Sequence, residues 1–207
     1  MDTEEEQVEQ IKAWFKQNGM SIVLGIVIGV GGIGGYRYWD YVQETTAEQA
    51  SDYYSQMMSA LGSADSENVE LYAGRLISEF DGTEYALLAY LALARHQVSQ
   101  DAFEQAQDSL QQALEKAGTD PIGFVARTRL AMVQLQLQEY DQAMSTLSAD
   151  YPAEFAAVVA ELKGDVLAQQ GKLSEAAEAY RNAMQADPGP ANGEFVQQKL
   201  EDLGVAG

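Results

Sequence analysis

The chain has 207 residues, with 12 Lys and Arg against 32 Asp and Glu, for a net charge of −20. That acidity sets it against phosphate backbones and excludes nucleic acid as a partner. Cysteine is absent, which excludes disulfides, thiolate metal sites and cysteine nucleophiles, while 46% apolar and 21% charged residues give an ordinary globular balance.

Residues 1–19, MDTEEEQVEQIKAWFKQNG, form a short acidic segment. Met20 to Tyr36 then carry no charge and are almost entirely apolar or glycine. The uncharged gap between Lys16 and Arg37 is 20 residues, the length a helix needs to cross a bilayer core. We therefore expect a transmembrane helix at 20–36. The run leads into Tyr36-Arg37-Tyr38-Trp39-Asp40-Tyr41 with no small-x-small site, so it reads as an uncleaved anchor rather than a signal peptide. Gly29, Gly31 and Gly34 fit G-x-G-x-x-G, but polar helical sequence follows where a dinucleotide site needs a second strand and a ribose-binding acid.

Aromatic rings bracket the run: Trp14 and Phe15 before it, Tyr36, Tyr38, Trp39 and Tyr41 after it. Trp14, Tyr36, Tyr38 and Trp39 are the expected interfacial anchors, with an apolar body and a polar edge. Lys12 and Lys16 precede the run, and Arg37 alone follows it until Arg75. This bias points the N-terminus to the cytoplasm and the rest outward. Gly25, Gly29 and Gly32 recur at i, i+4, i+7, a face on which another helix can approach closely in lipid.

Two Lys and five acidic residues precede Arg37, so residues 37–207 hold 10 basic and 27 acidic residues, a net charge of −17. Periodicity predicts helices at 44–61, 67–79, 84–98, 102–117, 122–137, 140–149, 153–169, 172–186 and 192–203. No Pro or Gly separates Tyr36 from Ala60, so the first of these can continue the membrane helix. Asp101 with Glu104, Thr83, and Asp120 before Pro121 are expected to cap helices. The segments divide into a juxtamembrane region with a first helix at 37–63, repeats at 64–189, and a capping helix and tail at 190–207.

The clearest repeat is Ala160 to Pro188, AELKGDVLAQQGKLSEAAEAYRNAMQADP. Ala160 and Gly164 share a face of its first helix, Gly171 marks the turn, and Ala176, Tyr180 and Ala183 follow at i, i+4, i+7. This unit resembles a tetratricopeptide repeat, although Leu167 stands where that family usually has Tyr. Ala106, Leu110 and Ala113, with Ala94 before them, form an earlier copy. Ala143 and Leu147, with Ala131, form another. A weaker unit places Ala73 and Ile77 in the same role. The fold expected is all-α: one N-terminal transmembrane helix and then a solenoid of antiparallel helix pairs.

Catalytic signatures are missing. His96 is the single histidine and reads as a helix-terminus residue, and no carboxylate pair sits in an apolar surround that would set one apart as an acid. The sequence assigns no catalytic, cofactor or metal site and points to a binding protein. Tyr90, Arg127 and Ala160 hold the equivalent first-helix position in three successive units and are candidates to line a concave groove.

The acidic N-terminus, the KAWFKQNG entry, the glycine-rich run, the GYRYWDY exit and the degenerate repeats together resemble the YfgM family, ancillary subunits of the bacterial SecYEG translocon. The resemblance implies an inner-membrane protein of single-pass type II topology with a periplasmic domain. It also implies association with SecYEG and with the membrane-anchored periplasmic chaperone PpiD, and a role in passing unfolded exported proteins to chaperones. A scaffold for another envelope assembly, or a regulatory adaptor acting through the cytoplasmic segment, has the same architecture.

Overall fold

A computed structural model of the chain describes residues 4–204. The first three residues of the expected cytoplasmic segment and the last three of the tail lie outside the described residues. Regular structure among the described residues is helical throughout. The helices are α1 (Glu4–Gly62), α2 (Ser66–Glu79), α3 (Glu84–Ser99), α4 (Phe103–Ala117), α5 (Ile122–Gln136), α6 (Tyr140–Leu147), α7 (Ala156–Gln169), α8 (Leu173–Gln185) and α9 (Gly193–Asp202). A 3-10 turn at Ala153–Phe155 precedes α7. Contacts divide the chain into two compact units, one ending at Gln49 and one starting at Ala50.

The first unit is the greater part of α1. As the absence of Pro and Gly after Tyr36 predicts, α1 continues past the apolar run. It consists of two segments, Gln7–Ser21 and Val23–Gly62, that meet at 43°. Among the described residues no single helix is long and apolar enough to cross a membrane; this bent pair together has the length and composition to do so. The structure thus differs from the unbroken span expected at 20–36, because the bend falls inside it. Gly19 and Ser21 lie beside the bend, and such Gly/Ser pairs are a common cause of helix bending.

The second unit is a stack of helix pairs joined by one repeated turn. The N–H of Asp65 donates to the carbonyl of Ala60 at 2.9 Å, Ala102 to Gln97 at 2.9 Å, Glu139 to Gln134 at 2.8 Å and Lys172 to Leu167 at 2.9 Å. The residue before each donor has positive φ: Ala64 at 56°, Asp101 at 58°, Gln138 at 62° and Gly171 at 76°. This six-to-one bond with a left-handed residue inside it is the Schellman ending of a helix. Positions 64, 101, 138 and 171 put the repeats 37, 37 and 33 residues apart.

This register confirms the later copies and corrects the earliest one. The residues equivalent to Ala106 and Leu110 are Val69 and Ala73, not Ala73 and Ile77; Val69, Ala73 and Leu76 are fully buried, while Ile77 is partly buried. The reason is a swap of sizes. Where paired helices cross, Ala94 shares a core with Leu110, and Ala131 with Leu147. In the first pair the large residue is on the first helix, Met57, and the small one on the second, Ala73. In the last pair Gly164 faces Tyr180. Each layer combines one large and one small side chain, which keeps the side-chain volume at the crossing similar from pair to pair.

Polar clips lie beside the two central crossings. The hydroxyl of Ser109 donates to Gln97 Oε1 at 2.7 Å, and that of Thr146 to Gln134 Oε1 at 2.8 Å. Apolar Ala60 and Leu167 occupy the equivalent first-helix positions in the outer pairs. Two expected caps do not form. Asp101 occupies the left-handed turn position, so the first-turn cap of α4 falls to Ala102 without a side-chain bond. Thr83 Oγ1 donates to the carbonyl of Phe80 at 2.8 Å instead of capping α3. Asp120 does cap as expected, accepting from the Ile122 N–H at 2.9 Å. Asp65, which sequence reading passed over, accepts from the backbone N–H and side-chain amide of Asn68 at the start of α2. These bonds lower its pKa.

The tightest crossing generates a prediction. A Cβ on Gly164 stands 2.5 Å from Cδ1 and Cε1 of the Tyr180 ring. The ring is buried, and its hydroxyl is tied to Asp165 at 2.7 Å, so it has little freedom to withdraw. Gly164→Ala is expected to destabilise the repeat unit by about 1–3 kcal/mol through overpacking. Urea unfolding of the full chain in detergent, followed by circular dichroism, measures this; an unchanged midpoint contradicts the close crossing.

Candidate functional site

A groove of two open cavities runs along α3 and α5, reaching Phe103 and Leu110 of α4 in one and the last turns of α1 in the other. Leu88, Leu91, Arg95 and Val98 follow the i, i+3, i+7, i+10 pattern of one helix face on α3. Val125, Arg129, Met132 and Gln136 follow i, i+4, i+7, i+11, again one helix face, on α5. With Tyr54, Met58 and Leu61 of α1, they enclose two open cavities of about 370 and about 270 Å³. Arg95 and Arg129 line both. The crossing residues Ala94 and Ala131 are neighbours of this face on their helices. Arg95, Val98, Arg129, Met132 and Gln136 are turned outward, while Leu91 is buried in the core at the floor of the second cavity.

The three residues expected in the groove are placed differently. Tyr90 packs against the core shared by α3, α4 and α5. Ala160 packs against the core of α7, α8 and α9. Arg127 is half-buried, donates to the carbonyl of Asp150 at 2.9 Å and lies over the Phe124 ring, 5.4 Å from its centroid. None of them lines either cavity. One residue along a helix is a rotation of about 100°, enough to carry Tyr90 away from the face of Leu91. Sequence could have located the groove from the exposed apolar residues adjacent to the small crossing residues, such as Met132 beside Ala131.

The second candidate surface is on α1. Val23, Leu24, Ile26, Val27, Ile28, Val30 and Ile33 are all more than half exposed, with Val30 at 67%. A contiguous apolar surface of this kind marks contact with lipid or with another protein. A Cβ at Gly25, Gly29 or Gly32 meets nothing within 4 Å, so the expected packing face is open. The rings of Trp14, Tyr36, Tyr38 and Trp39 are also exposed, and Tyr36 and Trp39 sit 6.4 Å apart.

The most connected titratable cluster joins α7, α8 and α9. Lys199 Nζ is 2.7 Å from Glu161 and 2.8 Å from Asp165. Tyr180 donates its hydroxyl to the same Asp165. Burial, followed by the bond to Asp165, pushes the Tyr180 phenol well above its ordinary range. Burial acts to lower the Lys199 pKa, but hydrogen bonds to Asp165 and Glu161 outweigh it, so the amine is raised. Each charge has a partner, so this cluster is a clamp holding α9 in place. His96 lies in the last turn of α3, as the sequence predicts, and its side chain is buried there. Among the described residues no group of three or more His, Cys, Asp or Glu side chains is arranged to hold a metal.

Stacked helix pairs, a groove on the first helices and an open apolar helix define a tetratricopeptide repeat-like protein. The model of the tetratricopeptide repeat-like domain family matches residues 12–205. A relative from Escherichia coli (strain K12), named ancillary SecYEG translocon subunit, is 33% identical over 204 residues, covering 99% of this chain and 98% of the relative. Relatives with the same name from Haemophilus influenzae and Aggregatibacter actinomycetemcomitans are 31% and 30% identical, each over 97% of both chains. The chain belongs to the family of ancillary SecYEG translocon subunits, the YfgM family.

The clamp on α9 has a defined pH dependence. Tyr180 and Lys199 have raised folded pKa values, above ordinary values of 10.0 and 10.5. Their stabilisation is complete below those values and is lost as pH rises through the folded ones. Melting temperature should therefore fall as pH rises above about 10, where the unfolded chain loses protons that the folded clamp retains. Lys199→Arg, which keeps its charge in alkali, is expected to flatten that fall. Identical alkaline profiles for both proteins contradict the clamp.

Proposed function

We propose that the chain is a non-enzymatic, membrane-anchored adaptor associated with the SecYEG translocon. On this reading residues 20–36 lie in the bacterial inner membrane, with the N-terminus in the cytoplasm and residues 37–207 in the periplasm. The repeat domain assists transfer of exported, still unfolded proteins to periplasmic chaperones such as PpiD. The observation that carries the reading is the extent of the likeness. Relatives named as translocon subunits match nearly the whole chain, apolar helix and repeats together. The open apolar surface of α1, the glycine face and the aromatic rings at both ends support anchoring. Tetratricopeptide-like stacks act by holding partners in a groove, which supports the adaptor role.

Crosslinking in native membranes followed by purification of the chain tests this. SecYEG and PpiD should copurify with the full chain. Gly29→Leu places a bulky side chain on the open glycine face, and is expected to reduce recovery of the membrane partners while leaving the repeat domain folded by circular dichroism. The lost helix packing is on the order of 1 kcal/mol. Recovery of another envelope assembly without SecYEG overturns the reading. Full recovery with Gly29→Leu shows that the glycines do not pack a partner helix.

A further inference from the structure

The groove carries charge opposite to that of the domain around it. Residues 37–207 hold 27 acidic side chains, yet none lines either cavity. The charged residues that do are Arg95 and Arg129, both exposed. Among the described residues neither makes an ion pair, and neither guanidinium donates a hydrogen bond to another side chain. Beside them the exposed groove residues are Met58, Val98 and Met132, which are apolar, and the uncharged Gln136. Methionine is flexible and polarisable and adapts to apolar side chains of different shapes. Two free guanidiniums within such a surface match a carboxylate carried between apolar groups.

Resting on the reading above that this groove is the domain's working surface, we infer that it binds an extended polypeptide segment in which an internal Asp or Glu is flanked by apolar residues. The acid is internal because Arg95 and Arg129 border both cavities, so apolar surface extends on both sides of the charges. A chain terminus at the arginines leaves one cavity empty; an internal acid fills both. The remaining domain charge repels strongly acidic chains, so the groove selects mainly apolar segments with an isolated acid.

Three peptides titrated onto the full chain in nanodiscs, with fluorescence anisotropy as readout, test the inference. The first has both ends blocked and one Glu between apolar residues. The second replaces that Glu with Gln. The third has no acidic side chain and a free C-terminal carboxylate. The Glu peptide should bind about tenfold or more tightly than the Gln peptide, with an advantage that shrinks as salt rises. Arg95→Gln with Arg129→Gln should abolish the advantage of the Glu peptide over the Gln peptide. Equal binding of the Glu and Gln peptides to the native chain overturns the acid preference while leaving an apolar groove in place. Arginine-dependent binding of the third peptide at the strength of the first overturns the internal position. Binding of none overturns both this inference and the working groove, while copurification with the translocon still reads the association separately.

Discussion

Where the helices of each pair cross, one large and one small side chain meet, and the repeat stack depends on that complementarity. Met57 shares a core with Ala73, Ala94 with Leu110 and Ala131 with Leu147, and Gly164 lies against the Tyr180 ring. The combined volume is held while the identities change. This sets how closely the helices approach and hence the rotation of each first helix about its axis. That rotation brings Arg95, Val98, Arg129 and Met132 together around one cavity. The Schellman turn after each first helix then starts its partner in the same register.

A scaffold of this kind needs no catalytic cluster. Its charged groups are spent on structure, as in the Lys199 clamp, or face solvent as a repulsive acidic surface. The guanidiniums within the apolar groove stand apart from both uses. The exposed apolar surface of α1 is a different kind of surface, wide enough for lipid or a partner helix and free of charged side chains. The groove and the open apolar helix are the two surfaces on which the proposed adaptor role rests.

The helices were legible because their apolar periodicity survives decay of the repeat. The predicted boundaries at 67–79 and 122–137 fall within one residue of α2 and α5. The turns were less so. Gly171 announces a left-handed residue, while Ala64, Asp101 and Gln138 adopt the same conformation without a glycine. The first repeat was displaced because small residues were used to align it, and there the small residue lies on the opposite helix. The groove was missed for a related reason: periodicity identifies which residues share a face but not which way that face turns. Tyr90, Arg127 and Ala160 are equivalent to one another, as the spacing implied, yet Tyr90 and Ala160 join cores and Arg127 reaches Asp150. The bend beside Ser21 had no strong local signal, since glycine recurs throughout that helix.

The central claim is that volume is exchanged across each crossing, and a double-mutant cycle at Ala131 and Leu147 tests it most directly. Ala131→Met alone overpacks the crossing, and Leu147→Ala alone opens a cavity, costing about 1–3 and about 2–5 kcal/mol respectively. Together they recreate the Met57 and Ala73 arrangement of the first pair. The account predicts that the double variant recovers much of the loss, with a coupling of about 2 kcal/mol relative to the sum of the single changes. Additive losses would contradict it.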